Sequence, residues 1–240
     1  MNVLRSWSND WHLKFNEVKT EYMLISNVNN LTNKITLKLN DVVLNMVSKH
    51  KHLGIVMNRN MTWSDHVDFI CKKVSKRLGI LYKHKNHLGR KTLCKLYCSW
   101  IRPIIEYGSV CCSNLSVMDR AKLDRLQRRA AIICTGAISR SSSVKLIADL
   151  GWVDLSTRCN HAKLLIMFKI LHRQTPDYLF EDIQLRYFDP SSRTLRSSIN
   201  SVLAINEFKC NSRSLEKSFF PSTIKLWNSL NPTFKTADSI

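Results

Sequence analysis

The chain has 240 residues, with 37 Lys and Arg against 18 Asp and Glu, which gives a formal net charge of +19. Its hydrophobic content of 44% is enough for a sizeable core and argues against a chain that is disordered throughout. The apolar runs are far shorter than the ~20 residues that a membrane helix needs, and the N-terminus lacks the continuous apolar segment of a signal peptide. We therefore expect an intracellular protein of the nucleus or cytoplasm, without a membrane partner.

The positive charge is concentrated in the middle of the chain. Residues 49–145 contain 20 Lys and Arg but only 5 Asp and Glu, whereas all other residues together contain 17 and 13. Such an excess of positive charge over several successive helices is typical of a surface that binds a polyanion. The alternative is a set of ordinary solvated helix faces.

The first 60 residues predict one helix and a small, mostly antiparallel sheet. Apolar side chains recur at steps of three and four between Val3 and Phe15, as in an amphipathic helix. Short extended segments follow, and Gly54 lies inside the last of them. The predicted strands are 19–26, 35–39, 42–47 and 52–57.

From residue 61 the apolar period is helical. Five apolar residues place one stripe on the first of these helices: Val67, Ile70, Val74, Leu78 and Leu81. A second helix follows Gly89 and is bent or ended by Pro103, and a third runs from about Asp119 to a stop at Gly136. Further helices are predicted near residues 144–150, 158–172 and 223–230, while 175–217 remains unassigned.

The side chains predict no self-sufficient catalytic centre. The one adjacent acidic pair, Glu181 and Asp182, lies in a polar segment and is interpreted as solvated. The six glycines form no phosphate loop, and the eight cysteines lack the spacing of a zinc site, so we expect buried thiols and no metal. Aromatic and basic residues alternate at 11–14, 82–85 and 97–102, a pattern that favours nucleic-acid binding, although for Tyr97 and Trp100 themselves a position in the helical core is the favoured interpretation.

A series of short motifs, in order, resembles the C-terminal part of reverse transcriptases from non-LTR retrotransposons, particularly jockey-like ones. The motifs are Trp7-x3-Trp11-x3-Phe15-Asn16-x2-Lys19-Thr20, Lys51-x-Leu53-Gly54-Ile55, Trp63-x2-His66-Val67, Ile101-x-Pro103-x2-Glu106-Tyr107-Gly108, Leu126-Gln127-x-Arg129-Ala130, Thr135-Gly136, Leu150-Gly151-Trp152 and Ser218-Phe219-Phe220-Pro221-x-Thr223-Ile224-x2-Trp227-Asn228-x-Leu230. Each motif alone is weak, and the resemblance depends on their number and order. It covers nearly the whole chain, with a loose match at 175–217.

The resemblance implies a mainly helical α+β fold in three parts. Residues 1–60 would be the end of the polymerase palm with a small antiparallel sheet and the primer-grip hairpin, 61–138 the helical thumb and 139–240 a helical extension. It places Lys19 where the family's motif D has a lysine, although a solvent-facing lysine is an equal interpretation, and Leu53, Gly54 and Ile55 at the primer grip. The cations expected to bind template–primer phosphates are Lys72, Lys73, Lys76, Arg77, Arg125, Arg128 and Arg129.

The resemblance also limits the expected activity. The family's metal-binding aspartates lie upstream of the matching region, so these residues alone are expected to be inactive, Mg²⁺ is expected only for a complete enzyme, and the assignment as an enzyme stays open. The expected partners are an RNA template with a DNA primer, or an RNA–DNA hybrid. The alternatives are a non-catalytic nucleic-acid-binding protein and a structural product of a domesticated element or pseudogene.

Overall fold

The computed structural model describes residues 2–26, 35–40, 42–112, 114–181, 183 and 204–235. Asp182 and much of the unassigned segment 175–217 lie outside these ranges. The strands are β1 (Glu21–Tyr22), β2 (Lys38–Leu39), β3 (Val42–Val43), β4 (Asn45–Met46), β5 (Lys49–His52) and β6 (Ile55–Asn58). The helices are α1 (Asn2–Asp10), α2 (Ser64–Lys83), α3 (Arg90–Leu96), α4 (Arg102–Glu106), α5 (Val117–Thr135), α6 (Ser143–Asp149), α7 (Leu155–Leu171), α8 (Tyr178–Glu181), α9 (Arg213–Glu216), α10 (Phe219–Asn228) and α11 (Pro232–Lys235). The mainly helical α+β class is confirmed.

The chain divides into two compact units, residues 1–70 and 71–240, and the division falls inside α2. In the first unit the described strands form three separate two-stranded pairs. The β2–β3 and β5–β6 pairs are antiparallel, whereas β1 and β4 run parallel. The small, mostly antiparallel sheet of the prediction is thus three separate pairs, two of which are antiparallel.

Helix α1 is shorter than its apolar pattern predicts. It ends at Asp10, and the next turn places His12 in the left-handed region at φ 50° while the Leu13 amide donates to the Ser8 carbonyl at 2.8 Å. This bond, which spans five residues, is the closing bond of a Schellman motif. The aromatic spacing continues past the helix end: the Trp7 ring centroid lies 6.4 Å from those of both Trp11 and Phe15.

The segment predicted as one strand around Gly54 is a hairpin. Strands β5 and β6 pair from Lys49 with Asn58 to His52 with Ile55, which leaves a two-residue turn. Leu53 at φ 45° and Gly54 at φ 86° both lie in the left-handed region that a type I′ turn requires. The residue pattern alone missed the turn because a leucine occupies the position where asparagine or aspartate is usual, whereas the resemblance placed a hairpin at these residues.

Helix α2 confirms its predicted stripe. Val67, Ile70, Val74, Leu78 and Leu81 are all buried. The steps of three and four keep one face apolar through all 20 residues, so burial of this face stabilises the helix.

Pro103 disturbs the next helical segment, as predicted, without breaking it. Between α3 and α4, residues Tyr97–Ile101 form a π-helical segment in which the Arg102 amide donates to the Tyr97 carbonyl. A π turn absorbs the missing proline N–H by widening the backbone locally. As a result, the buried positions recur every four residues, at Leu93, Tyr97, Ile101 and Ile105.

Helix α5 begins and ends with sequence-encoded caps. The Ser116 hydroxyl accepts a hydrogen bond from the Asp119 amide at 3.1 Å, and Gly136 ends the helix at φ 70°. Its predicted inward residues Leu123, Leu126, Ala130 and Ile133 are buried.

Two packing clusters organise the helices of the second unit. Tyr97 stacks on Trp152 with a centroid separation of 4.2 Å, so the α3–α4 segment contacts the loop between α6 and α7. The second cluster joins α7 and α10; its buried members are Met167, Phe168, Ile170, Ile183, Ile205, Ile224 and Trp227.

Candidate nucleic-acid interface

Exposed lysines cover the outer face of α2 in the second unit. Lys72, Lys76 and Lys83 are separated by four and seven residues, so they lie in one row opposite the buried stripe, with Lys73 beside them. All four side chains are exposed. Within the described part of the chain none of them has an ion-pair or hydrogen-bond partner. Their charge is therefore available to an external anion.

Helix α5 contributes a second pair of exposed cations. Arg125 and Arg129 are four residues apart, lie on the same helix face and are both exposed. The described residues offer neither of them an acidic partner. A guanidinium presents several N–H donors in a planar fork, which suits bidentate binding of a phosphate.

The two remaining predicted cations are half-buried and hold the protein's own backbone. The Arg77 guanidinium donates to the Trp100 carbonyl and lies 4.7 Å from the centroid of the Trp100 ring. Arg128 donates to the carbonyls of Ser139 and Ser141, at 3.1 Å for the latter. Both side chains thus link a helix to a neighbouring segment, which leaves them less able to bind phosphate than the exposed five.

Of the sites that the resemblance implies in the first unit, Lys19 and Leu53 are exposed. Lys19 lies in a turn where its amide donates to the carbonyl and the Oδ1 of Asn16, and its side chain faces solvent. Leu53 forms the hairpin tip with 77% of its surface exposed, while Gly54 and Ile55 are partly buried. An exposed leucine in the left-handed region is strained, and strain of this kind is frequent at functional sites.

The hairpin is held against the start of α2 by polar contacts within the first unit. Lys49 pairs with Asp65, and the Val56 amide donates to His66 Nδ1 at 3.3 Å. Hydrogen bonds from Asn58 and Lys49 hold the pKa of Asp65 below its usual range, and burial lowers the pKa of His66. His66 is therefore neutral at physiological pH, with Nδ1 as an acceptor.

The two aromatics of the α3–α4 segment have different environments. Tyr97 is fully buried, and burial raises the pKa of its phenol far above the ordinary value. Trp100 remains 37% exposed and stacks under Arg77. The core interpretation is thus correct for Tyr97, and Trp100 lies at the surface.

Most other motif residues have structural contacts. Arg158 pairs with Glu106, with Nη2 at 3.2 Å from Oε2, and the buried Gln127 donates to the Val153 carbonyl at 2.9 Å. Asn228 exchanges two hydrogen bonds with the Ile205 backbone, at 3.0 and 2.9 Å. These hydrogen bonds link helices to neighbouring segments of the chain.

The cysteines and acidic residues form no metal centre within the ranges described. No group of three or more His, Cys, Asp or Glu side chains there is arranged to hold a metal ion. Cys112 and Cys134 are buried, Cys111 is exposed, and the rest are partly buried. None of the described helices combines the length and apolar content that crossing a membrane requires.

Compared with protein-family models, with characterised proteins and with solved structures, the chain matches none. The likeness to reverse transcriptases therefore remains a hypothesis based on the motifs.

Sequence reasoning missed one member of the α2 row and the partners of two cations. The seven-residue step from Lys76 to Lys83 is visible in the sequence and identifies Lys83 as a member of the same face. The contacts of Arg77 and Arg128 bridge separate elements, so no local pattern could reveal them.

Proposed function

We propose that the second unit binds nucleic acid through the phosphate backbone, using the exposed cations of α2 and α5. The observation that carries this proposal is the row of Lys72, Lys76 and Lys83, with Lys73 beside it, which have no partner in the part of the chain that the structure describes. Lysine and arginine side chains that neutralise phosphates release condensed counterions, and this release supplies most of the affinity of sequence-independent binding. An isolated surface lysine carries little information, whereas a row opposite a buried stripe presents several charges to one linear polyanion.

The motif order supports a more specific role as part of a non-LTR retrotransposon reverse transcriptase, jockey-like in type, that holds the template–primer. In this proposal α2 to α5 form the thumb that grips the hybrid, and the hairpin tip at Leu53 and Gly54 lies against the primer. The contribution of these residues is binding and positioning, and no chemical step is assigned to them. The chain by itself is then a nucleic-acid-binding protein without polymerase activity.

Two assays on the purified chain test this proposal. Fluorescence anisotropy with a labelled RNA–DNA hybrid should show binding that weakens steeply between about 50 and 200 mM salt. Affinity that is absent at low salt, or unchanged over this range, would overturn it. Primer extension with Mg²⁺ and nucleotides should match a boiled control, and incorporation above that control would contradict the purely binding role.

A further inference from the structure

A cavity of about 160 Å³ lies where the C-terminal ends of α2 and α5 meet in the second unit. Ile132, Ile133 and Ala137 give it a largely apolar lining, and Tyr82, Lys85 and Arg129 also line it. Tyr82 is 55% exposed, so the cavity has an aromatic side chain that a ligand can reach. No single sequence motif predicts this cavity, because its lining residues come from the ends of two helices about 50 residues apart in the chain.

The described lining of the cavity contains two positively charged side chains, Lys85 and Arg129. The Lys85 ammonium lies 4.4 Å from the centroid of the Tyr82 ring, and Arg129 belongs to the exposed cation pair of α5. None of the described residues that line the cavity is acidic. A ligand that places an apolar ring inside and negative charge at the rim would match both features, since aromatic stacking beside cations is how proteins bind single-stranded nucleic acid.

The size of the cavity limits what can enter. An engineered protein cavity of about 150 Å³ holds one benzene molecule, so a space of this volume accommodates one six-membered aromatic ring. A stacked base pair is far too large. Among the parts of a nucleic acid, a single unpaired base fits this volume, and a pyrimidine fits better than a purine.

We propose that this cavity receives one unpaired pyrimidine base, with its flanking phosphates bound by Lys85 and Arg129. The inference rests on the proposed nucleic-acid binding and adds a preference to it: single strands, overhangs and bulges should bind better than blunt duplex. In a duplex the bases are paired and stacked, and extruding one of them costs a few kcal/mol. An apolar side chain of a protein partner would also fit the lining, but it would leave the two cations without a counter-charge.

The test distinguishes the contribution of the base to the binding affinity from that of the phosphate backbone. Anisotropy titrations at constant salt use labelled oligo(dT), an abasic oligonucleotide of equal length with the same phosphates, and a blunt duplex. The wild-type chain should bind oligo(dT) about five- to a hundredfold more tightly than the abasic strand, the effect of one base–aromatic stack. Equal affinity for the two strands would overturn the inference and leave the cavity to an apolar protein side chain.

Variants of the lining residues then show whether the cavity causes the preference for oligo(dT) over the abasic strand. Ala137→Leu fills the cavity without changing charge and should abolish the preference for oligo(dT) over the abasic strand while leaving duplex affinity unchanged. Ala148→Leu, at an exposed alanine of α6, is the matched control and should behave as wild type. Tyr82→Ala should lose the preference and Tyr82→Phe should keep it; since Tyr82 is exposed, these two carry the test if thermal melting shows that Ala137→Leu is unfolded. A preference that survives in a folded Ala137→Leu or in Tyr82→Ala contradicts the assignment, whereas failure of the wild-type chain to bind any probe removes the proposed function itself.

Discussion

Neutralising two lysines of the α2 row should lower the salt dependence of binding by a calculable amount. The change is Lys72→Gln with Lys76→Gln, which removes both charges, keeps an unbranched polar side chain and has a similar helix propensity. Helices α2 and α5 present six exposed cations without a partner among the described residues: Lys72, Lys73, Lys76, Lys83, Arg125 and Arg129. If each contacts one phosphate of a duplex, the slope of log K against log salt is about −0.9 per contact, or about −5.4 in total.

The double variant retains four of these contacts, which gives a slope of about −3.6. Over a fourfold rise in salt the wild-type affinity then falls about 2,000-fold and that of the variant about 150-fold. The assay is anisotropy with a labelled duplex at several salt concentrations. The matched control is Lys145→Gln with Lys169→Gln, which removes the same charge from exposed positions of α6 and α7.

The control should leave the slope near its wild-type value, because the slope counts phosphate contacts and not the net charge of the protein. A slope unaltered in the α2 variant, or a decrease of equal size in the control, would refute the reasoning. The first result would mean that the lysine row is only a solvated helix face, and the second that binding is diffuse over the whole basic surface.

Three further predictions concern stability and are measured by urea denaturation. Tyr97→Phe should leave the free energy of unfolding within about 1 kcal/mol of wild type or raise it, because the buried hydroxyl has no hydrogen-bond partner among the described residues; a loss above about 2 kcal/mol would contradict this. Leu53→Asn should raise it by about 1 kcal/mol by relieving the left-handed leucine beside Gly54, with slower hydrogen exchange of the hairpin amides as a check, and a decrease would argue against strain. Lys163 is buried, its one hydrogen-bond partner among the described residues is the Ser222 hydroxyl at 2.9 Å, and burial lowers the pKa of its ammonium. The unfolded chain therefore binds more protons than the folded one, so the free energy of unfolding of the wild type should rise as the pH approaches about 10.5. Lys163→Met should be more stable at neutral pH and should lack this rise. If the free energy of unfolding of Lys163→Met showed the same rise with pH as the wild type, the prediction would be contradicted.

The long helices could be predicted from the sequence because their signals are local. The stripe of α2 from Val67 to Leu81 repeats consistently, and Gly136 gives α5 a recognisable end. Pro103 signals a disturbance, but the period does not reveal that a π turn absorbs it. This turn makes the buried positions recur every four residues, so Tyr97 is buried while Trp100 stays at the surface.

The small strands and the roles of individual cations were less predictable. The hairpin lacks an Asn-Gly signature, so the segment around Gly54 resembles one continuous strand. Arg77 and Arg128 look like phosphate ligands in sequence, yet each holds a backbone carbonyl of another segment. The cavity at Tyr82 depends on two helix ends meeting, which no single motif encodes.

Photocrosslinking tests the central claim most directly, because it locates the nucleic acid on the protein. An RNA–DNA hybrid with a single-stranded overhang that carries photoreactive pyrimidines is irradiated with the full chain, and the modified peptides are identified by mass spectrometry. We expect adducts within residues 72–85 and 125–137. Adducts confined to 155–171 or 204–235, or none under conditions in which the hybrid is bound, would contradict the assignment of α2 and α5 as the nucleic-acid-binding surface.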